Sequence, residues 1–401
     1  MTNLHGSRLA SADVVVLGAG IIGAAITREL ARAGVAVLLV DAAGGGTGTS
    51  GRCDGNVLLQ TKHDVLGVQM TKHSIVRYAQ WAAELELDIH FERPGSLVFF
   101  SDPKDLASGH ERVDWLASQG VAARFVDARQ IHDLEPGLSD RAVGGIDCLD
   151  DSSVYPPAVV AALVHDARRH GAGMLTHVRA RRLLVSSSGR AEGVDTDAGV
   201  IAASQVVNAL GPWSPFLEGD VGTRVPVIPR QGLIAVTDET SGLVRRAVTE
   251  ATYMSTRTSA GQGNTASVAF VAEPTFRGNV LIGSTRRFCG YDMNVDLSLL
   301  MVVMRRAISF LPGLADVQII RTFAGLRPWS PDNRPLIGAS KTVAGYFLAT
   351  GHEGEGIGLA PITADIITAL VTSSGLTPLF TEVLANTDPQ RFGASLDRAA
   401  S

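Results

Sequence analysis

Apolar residues in the first part of the chain come in runs, not alternations. Val14, Val15, Val16 and Leu17 form one run, and residues 35–40 form a second. Unbroken runs of this length fit strands covered on both faces, as in a parallel sheet; a half-solvated strand would alternate. Between the runs, residues 24–33 are rich in Ala and Leu, a helical composition that Gly34 stops. Residues 13–41 therefore read as one strand–helix–strand unit. Further on, the pattern predicts helices over 71–87, 113–120, 127–134, 158–170, 297–310 and 360–371. It predicts strands over 95–100, 178–185, 199–209, 225–236, 280–283 and 343–350, with a polar Gly/Ser/Thr-rich connection over 256–265. The first strand and those near Val178, Val206 and Phe347 are expected to share one sheet. The intervening segments would build a second, more antiparallel domain, and such interleaving places a ligand at the interface.

Composition narrows the class. The chain has 401 residues, 45% hydrophobic and 19% charged, with 43 glycines, which suits a two-part α/β protein and not a disordered one. A net charge of -5 gives no reason to expect nucleic acid or an acidic membrane surface as partner. The three cysteines Cys53, Cys148 and Cys289 are scattered, so neither a disulfide framework nor a CxxC metal site is expected. The opening residues lack an apolar stretch of the secretory kind, and no run is long enough for a membrane span. A cytoplasmic protein is the expectation.

The strongest local signal is GxGxxG at Gly18, Gly20 and Gly23. Gly18 would permit a tight turn, Gly20 would let backbone approach a pyrophosphate, and Gly23 would let the helix pack closely on the strand. The helix N-terminus offers free N–H groups and a partial positive charge to phosphates. Alone the motif is weak. Here it follows a buried run, opens a helix, and is followed by Asp41 at the end of the next strand, at the right distance for ribose hydroxyls. That carboxylate would repel a 2′-phosphate, so NADP is not expected. The unit by itself does not separate FAD from NAD.

Five further segments make that separation: TSGRCDGNV at 49–57, DSSVYP at 151–156, VVNALGPWS at 206–214, GLRP at 325–328 followed by Pro331 and Asp332, and TGHEGEGIGLAP at 350–361. With them the sequence resembles the glycine oxidase and D-amino-acid oxidase family of FAD enzymes over roughly 13–371. Within that family it looks most like the β subunits of heterooligomeric opine oxidases, hydroxyproline or proline dehydrogenases and hydrogen cyanide synthase. The resemblance implies an α/β fold: a Rossmann-type FAD-binding domain (1–88, 145–222 and 322–401) interleaved with an α+β substrate domain on a mainly antiparallel sheet (89–144 and 223–321).

It also implies site residues. The 49–57 loop would run beside the flavin ring and ribityl chain, bringing Thr49, Ser50, Arg52, Gly55, Asn56 and Val57. Small hydroxyls there can satisfy phosphate and ribityl oxygens, and Gly55 permits close approach to a flat ring. Ile22, Ala42 and Trp213 would also contact the cofactor, Val178 would meet the adenine, and Gly211 would lie beside the pyrophosphate. Gly354, Gly356, Ile357 and Gly358 would bring helix N–H groups to the flavin N1/C2 carbonyl. Arg327 would grip a substrate carboxylate with its planar fork.

Two departures matter. Glycine oxidases carry a second arginine in the segment that reads HEGEG here, at 352–356; this chain has Glu355, which could hold a cationic substrate group. Monomeric sarcosine oxidases link FAD to a cysteine near the position of Gly325, and no cysteine stands there, so non-covalent FAD is expected. Tyr253 is a further candidate for a substrate hydrogen bond.

The implied reaction is oxidation of the C–N bond of a small amino acid or secondary amine. The implied partners are an FAD/NAD-type α subunit and a small iron–sulfur subunit. Two alternatives stay open: a free-standing D-amino-acid or glycine oxidase producing peroxide, and an FAD-carrying electron-relay subunit with no substrate site of its own.

Overall fold

The computed structural model describes residues 8–217, 225–240, 242–254 and 266–392. The polar connection expected over 256–265 lies outside them. Val14–Leu17 is a central strand, and all four of its side chains are 0% exposed, which is why the run has no polar alternation. It sits in a six-stranded sheet ordered Leu336–Ala339, Tyr346–Thr350, Gln205–Asn208, Val14–Leu17, Val37–Asp41, Gly173–Thr176. Every pairing is parallel except the one between the first two strands.

The two faces of this sheet bury different partners. Val14, Val16 and Leu39 join the core formed with helices Ile21–Arg32, Val65–Glu84, Pro156–Arg169 and Gly356–Thr372. Val15, Leu17, Leu38 and Val40 pack instead against Leu183, Val194 and Ile201 of a small four-stranded sheet. Each such buried aliphatic side chain contributes about 1.5–3 kcal/mol.

A second, eight-stranded sheet runs Ile319–Trp329, Ile228–Thr237, Val280–Arg286, Ser267–Pro274, Ala247–Glu250, Ser96–Phe100, Gly144–Cys148, Ala123–Asp127. It is antiparallel apart from the Ala247–Glu250 pairing with Ser96–Phe100. Helix Leu297–Phe310 covers it through Leu300, Val303, Met304, Ala307 and Phe310, and Asp296 caps that helix by accepting the Leu299 N–H at 3.0 Å. Among the described residues no helix is long and apolar enough to cross a membrane.

The structure corrects several expectations. The strand near Val178 does not enter the parallel sheet; Gly173–Thr176 does, and Ala180–Val185 belongs to the four-stranded sheet. The apolar stretch 199–209 is two strands in two sheets, Gly199–Ala202 and Gln205–Asn208. Helix Val65–Glu84 starts before residue 71, where Asp64 caps it by accepting the Gly67 N–H at 2.7 Å. Helix Leu106–Ser118 likewise starts before 113. Strand Gly144–Cys148 and the whole of Ile319–Trp329 lie in the eight-stranded sheet.

Candidate active site

The carboxyl ends of the parallel strands face the Ile319–Trp329 strand across one long cavity of about 670 Å³. Open α/β sheets bind ligands at this end. The wall begins at the glycine loop. Gly18 has φ +99°, and a Cβ there would stand 2.5 Å from the Ala209 carbonyl oxygen. A Cβ on Gly23 would overlap the Gly18 carbonyl, so Gly23 serves the turn from behind and is not part of the wall. Gly20 and Ile22 line the cavity, and the first helix N–H groups open there. The Ser50 hydroxyl already accepts the Ile21 N–H at 2.9 Å, fixing the 49–51 turn to the helix start.

Asp41 lines the cavity with Ala42, but both its oxygens are engaged by backbone: Oδ2 accepts the Ala19 N–H at 2.7 Å and Oδ1 the Ala43 N–H at 2.8 Å. In this structure it braces the glycine loop. Val178 stands beside it, its N–H donating to the Asp41 carbonyl at 3.0 Å. Gly211, at φ +57°, has open space where a Cβ would point, and the Trp213 ring lies 3.3 Å from a Cβ built on Gly48.

The 49–57 loop divides. Thr49, Ser50 and Arg52 line the cavity, with Cys53 and Asp54, which the sequence reading did not single out. Thr49 Oγ1 donates to the Leu326 carbonyl at 2.6 Å, tying this loop to the second sheet. Gly55, Asn56 and Val57 are not among the residues lining this cavity. Gly55 is glycine because a Cβ would overlap the Val154 carbonyl, and Asn56–Val57 pairs with Ser152–Ser153. Val57 is 0% exposed and packs on Gly358, which is likewise outside the wall.

At the far end, Arg327, Tyr253, Gly354, Gly356 and Ile357 line the cavity. Arg327 Nη1 donates to the Thr285 carbonyl at 2.9 Å, and Gly232 leaves room for the guanidinium where any Cβ would collide. Arg286 stacks on the Tyr253 ring at 4.4 Å. Glu355 pairs its carboxylate with Lys62 Nζ and is not among the residues lining this cavity. Glu353 lines the cavity, 6% exposed, at φ +49°. Its Oε1 accepts Arg230 Nε at 3.1 Å and lies 3.8 Å from Arg286 and 3.9 Å from Arg327. Burial pulls the Arg230 guanidinium down from its usual range, and Glu353 opposes that. His352, 3% exposed, is pushed down to about 3 by burial, so it is the neutral imidazole that meets Thr363 Oγ1 at 3.0 Å.

Glycine at the narrow turn, helix N–H groups opening beside it, and a long apolar-walled slot ending in arginine define a dinucleotide-binding protein. The chain belongs to the DAO family of FAD-dependent oxidoreductases, whose family model matches residues 13–370, and its cofactor is FAD. It is 30% identical over 287 residues to the hydrogen cyanide synthase subunit HcnC of Pseudomonas aeruginosa; that match takes in 71% of this chain and 64% of the relative. It is 26% identical over 366 residues to the glycine oxidase of Geobacillus kaustophilus, 90% of this chain and 92% of that one. In fold it resembles the crystal structure of L-proline dehydrogenase from P. horikoshii, with TM-score 0.85, 24% identity, and coverage of 96% and 98%.

Proposed function

We propose that this protein oxidises the C–N bond of a small amino acid or secondary amine, as the catalytic β subunit of a heterooligomeric dehydrogenase. The observation that carries this reading is the guanidinium of Arg327, held by the Thr285 carbonyl and Gly232, on the wall of a slot shaped for a dinucleotide. Bound FAD supplies the hydride acceptor. This chain's residues do the positioning. Arg327 takes the substrate carboxylate by a charge-assisted fork, which fixes where the α-carbon sits. Tyr253, steadied by Arg286, offers a hydroxyl to the same substrate. Gly354 and Gly356 bring backbone toward the end of the slot where negative charge develops.

FAD is held non-covalently in this reading. Cys53 does line the cavity, but burial, then Asp54 and Glu273, push its thiol well up, so it offers no thiolate for a linkage. The similarity to HcnC, named as a subunit, supports a partner as electron acceptor: an FAD/NAD-type subunit with a small iron–sulfur subunit. The match to glycine oxidase over nearly all of both chains favours the second reading, a free-standing oxidase that makes peroxide.

The test is anaerobic bleaching of the flavin by a panel of D- and L-amino acids, sarcosine, prolines and opines. At least one should bleach it. Arg327→Ala should keep the flavin spectrum and lose about 10- to 100-fold in the rate of reduction at low substrate, the worth of a charge-assisted pair. Unchanged reduction in that variant would remove Arg327 from the site. Peroxide formation by the purified chain alone would decide for the second reading.

A further inference from the structure

The helix at the end of the slot has an acid standing at its start. Glu355 is the residue before helix Gly356–Thr372, and its carbonyl accepts the Leu359 N–H at 2.9 Å as the helix begins. A carboxylate so close to a helix start is drawn to the first N–H groups and the partial positive charge there. Glu355 does not take them: its side chain makes no capping hydrogen bond. Its carboxylate is turned to Lys62 Nζ instead. The residues on either side of it, Gly354, Gly356 and Ile357, line the cavity.

The chain builds a fixed place for that lysine. Lys62 is 6% exposed, a depth at which an ammonium is seldom found unless paired. It lies just ahead of helix Val65–Glu84. Its N–H donates to the Leu59 carbonyl at 3.0 Å, and its own carbonyl accepts Arg112 Nη2. The stem runs beside Gly67, where an added Cβ would stand 3.6 Å from Lys62 Cβ. Helix Val65–Glu84 also holds the other helix directly. The Tyr78 hydroxyl donates to the Ile357 carbonyl at 2.7 Å, and His73 meets Asp365 at 2.7 Å. The position of Lys62 relative to the helix start is therefore set from both sides.

We propose that Lys62 is a positioning residue for the flavin end of the slot. It holds the Glu355 carboxylate off the start of helix Gly356–Thr372 and cancels its charge, leaving the first N–H groups to an anion in the cavity. This rests on the reading above that brings this backbone to the place where negative charge develops. Bound FAD gains that charge on two-electron reduction. Without Lys62, Glu355 would oppose it twice, by like charge and by taking the N–H groups for itself. Lys62 therefore sets how readily the bound flavin is reduced.

The test poises the FAD-loaded protein against a reference dye at neutral pH and reads the ratio of reduced to oxidised flavin from its absorbance. Lys62→Met should lower that ratio about tenfold at a given poise, which is about 30 mV for a two-electron couple. Glu355→Gln should raise it by a similar factor. The double variant should return near wild type, since neither charge remains, and Lys62→Arg should keep the wild-type ratio. Shifts of the same sign in the two single variants, or no shift in either, overturn the proposal and leave the pair a structural tie. If Lys62→Met does not fold, Glu355→Gln decides alone, and an unmoved or lowered ratio overturns it. No amine enters this experiment, so its failure leaves the amine-oxidising reading standing. A panel in which no amine bleaches the flavin would end that reading and leave the measured ratios to decide the role of Lys62.

Discussion

Asp151 shows how one buried carboxyl can serve the site without touching it. It is 0% exposed, accepts the Leu59 N–H and the Ser96 hydroxyl, each at 2.5 Å, and so pins the start of strand Ser96–Phe100 to the chain just after the 49–57 loop. Burial pushes it up to about 6 against those hydrogen bonds. An unfolded aspartate titrates near about 3.9. The folded chain therefore binds this proton more tightly, and the resulting stability is fully present below pH about 4 and lost as pH rises through about 6. A shift of about two units corresponds to about 3 kcal/mol. Urea unfolding followed from pH 4 to 7 should show wild type losing stability relative to Asp151→Asn, which has no such proton to release. Parallel pH curves for the two proteins would exclude Asp151 as the titrating group. The same scale explains what the sequence hid. Arg327 was legible because GLRP marks it, but the sequence singled out Glu355 and passed over Glu353. Glu353, at φ +49°, lines the cavity, and apolar periodicity carries no trace of that.

At the level of elements, the strand–turn–helix unit was legible because each of its parts has a strong physical signature: buried runs, forced glycines and a helical composition. The strand near Val178 was not. Residues 173–185 contain two short strands that leave for different sheets, and a four-residue strand on a sheet edge has too little alternation to declare its partner. The glycines of this region separate conformation from function in a way that can be measured. Gly18, at φ +99° with the Ala209 carbonyl 2.5 Å from any added Cβ, cannot accept a side chain without opening the turn that faces the cofactor. Gly34, at φ +78°, ends the same helix with nothing within 4 Å. Gly18→Ala should weaken FAD binding by tenfold or more. Gly34→Ala should cost about 1 kcal/mol of stability and leave the FAD dissociation constant unchanged. Flavin fluorescence titration of the two apoproteins distinguishes them, and equal affinities would mean that the Gly18 turn does not shape the cofactor site.

Among the described residues, the six-stranded and eight-stranded sheets meet along the cavity. Thr49 Oγ1 on the Leu326 carbonyl and the close approach of Gly325 to the Arg52 backbone are direct ties across it, and the cavity wall itself draws residues from both sheets. A ligand filling such a seam stabilises both halves together. At a free concentration one hundred times its dissociation constant, FAD should add about 2.7 kcal/mol to the folded state by mass action. Because the wall is shared, that gain should reach the second sheet as well as the nucleotide-binding one. Hydrogen exchange of the apoprotein against the FAD-loaded protein measures this: amides of Val14–Leu17 and of Ile319–Trp329 should both gain protection, and calorimetry should show one merged transition at higher temperature. NAD added at the same concentration should produce neither effect. Protection confined to the parallel sheet would mean that FAD sits in the nucleotide half alone, and the placing of Arg327 beside the reacting atoms would fall with it.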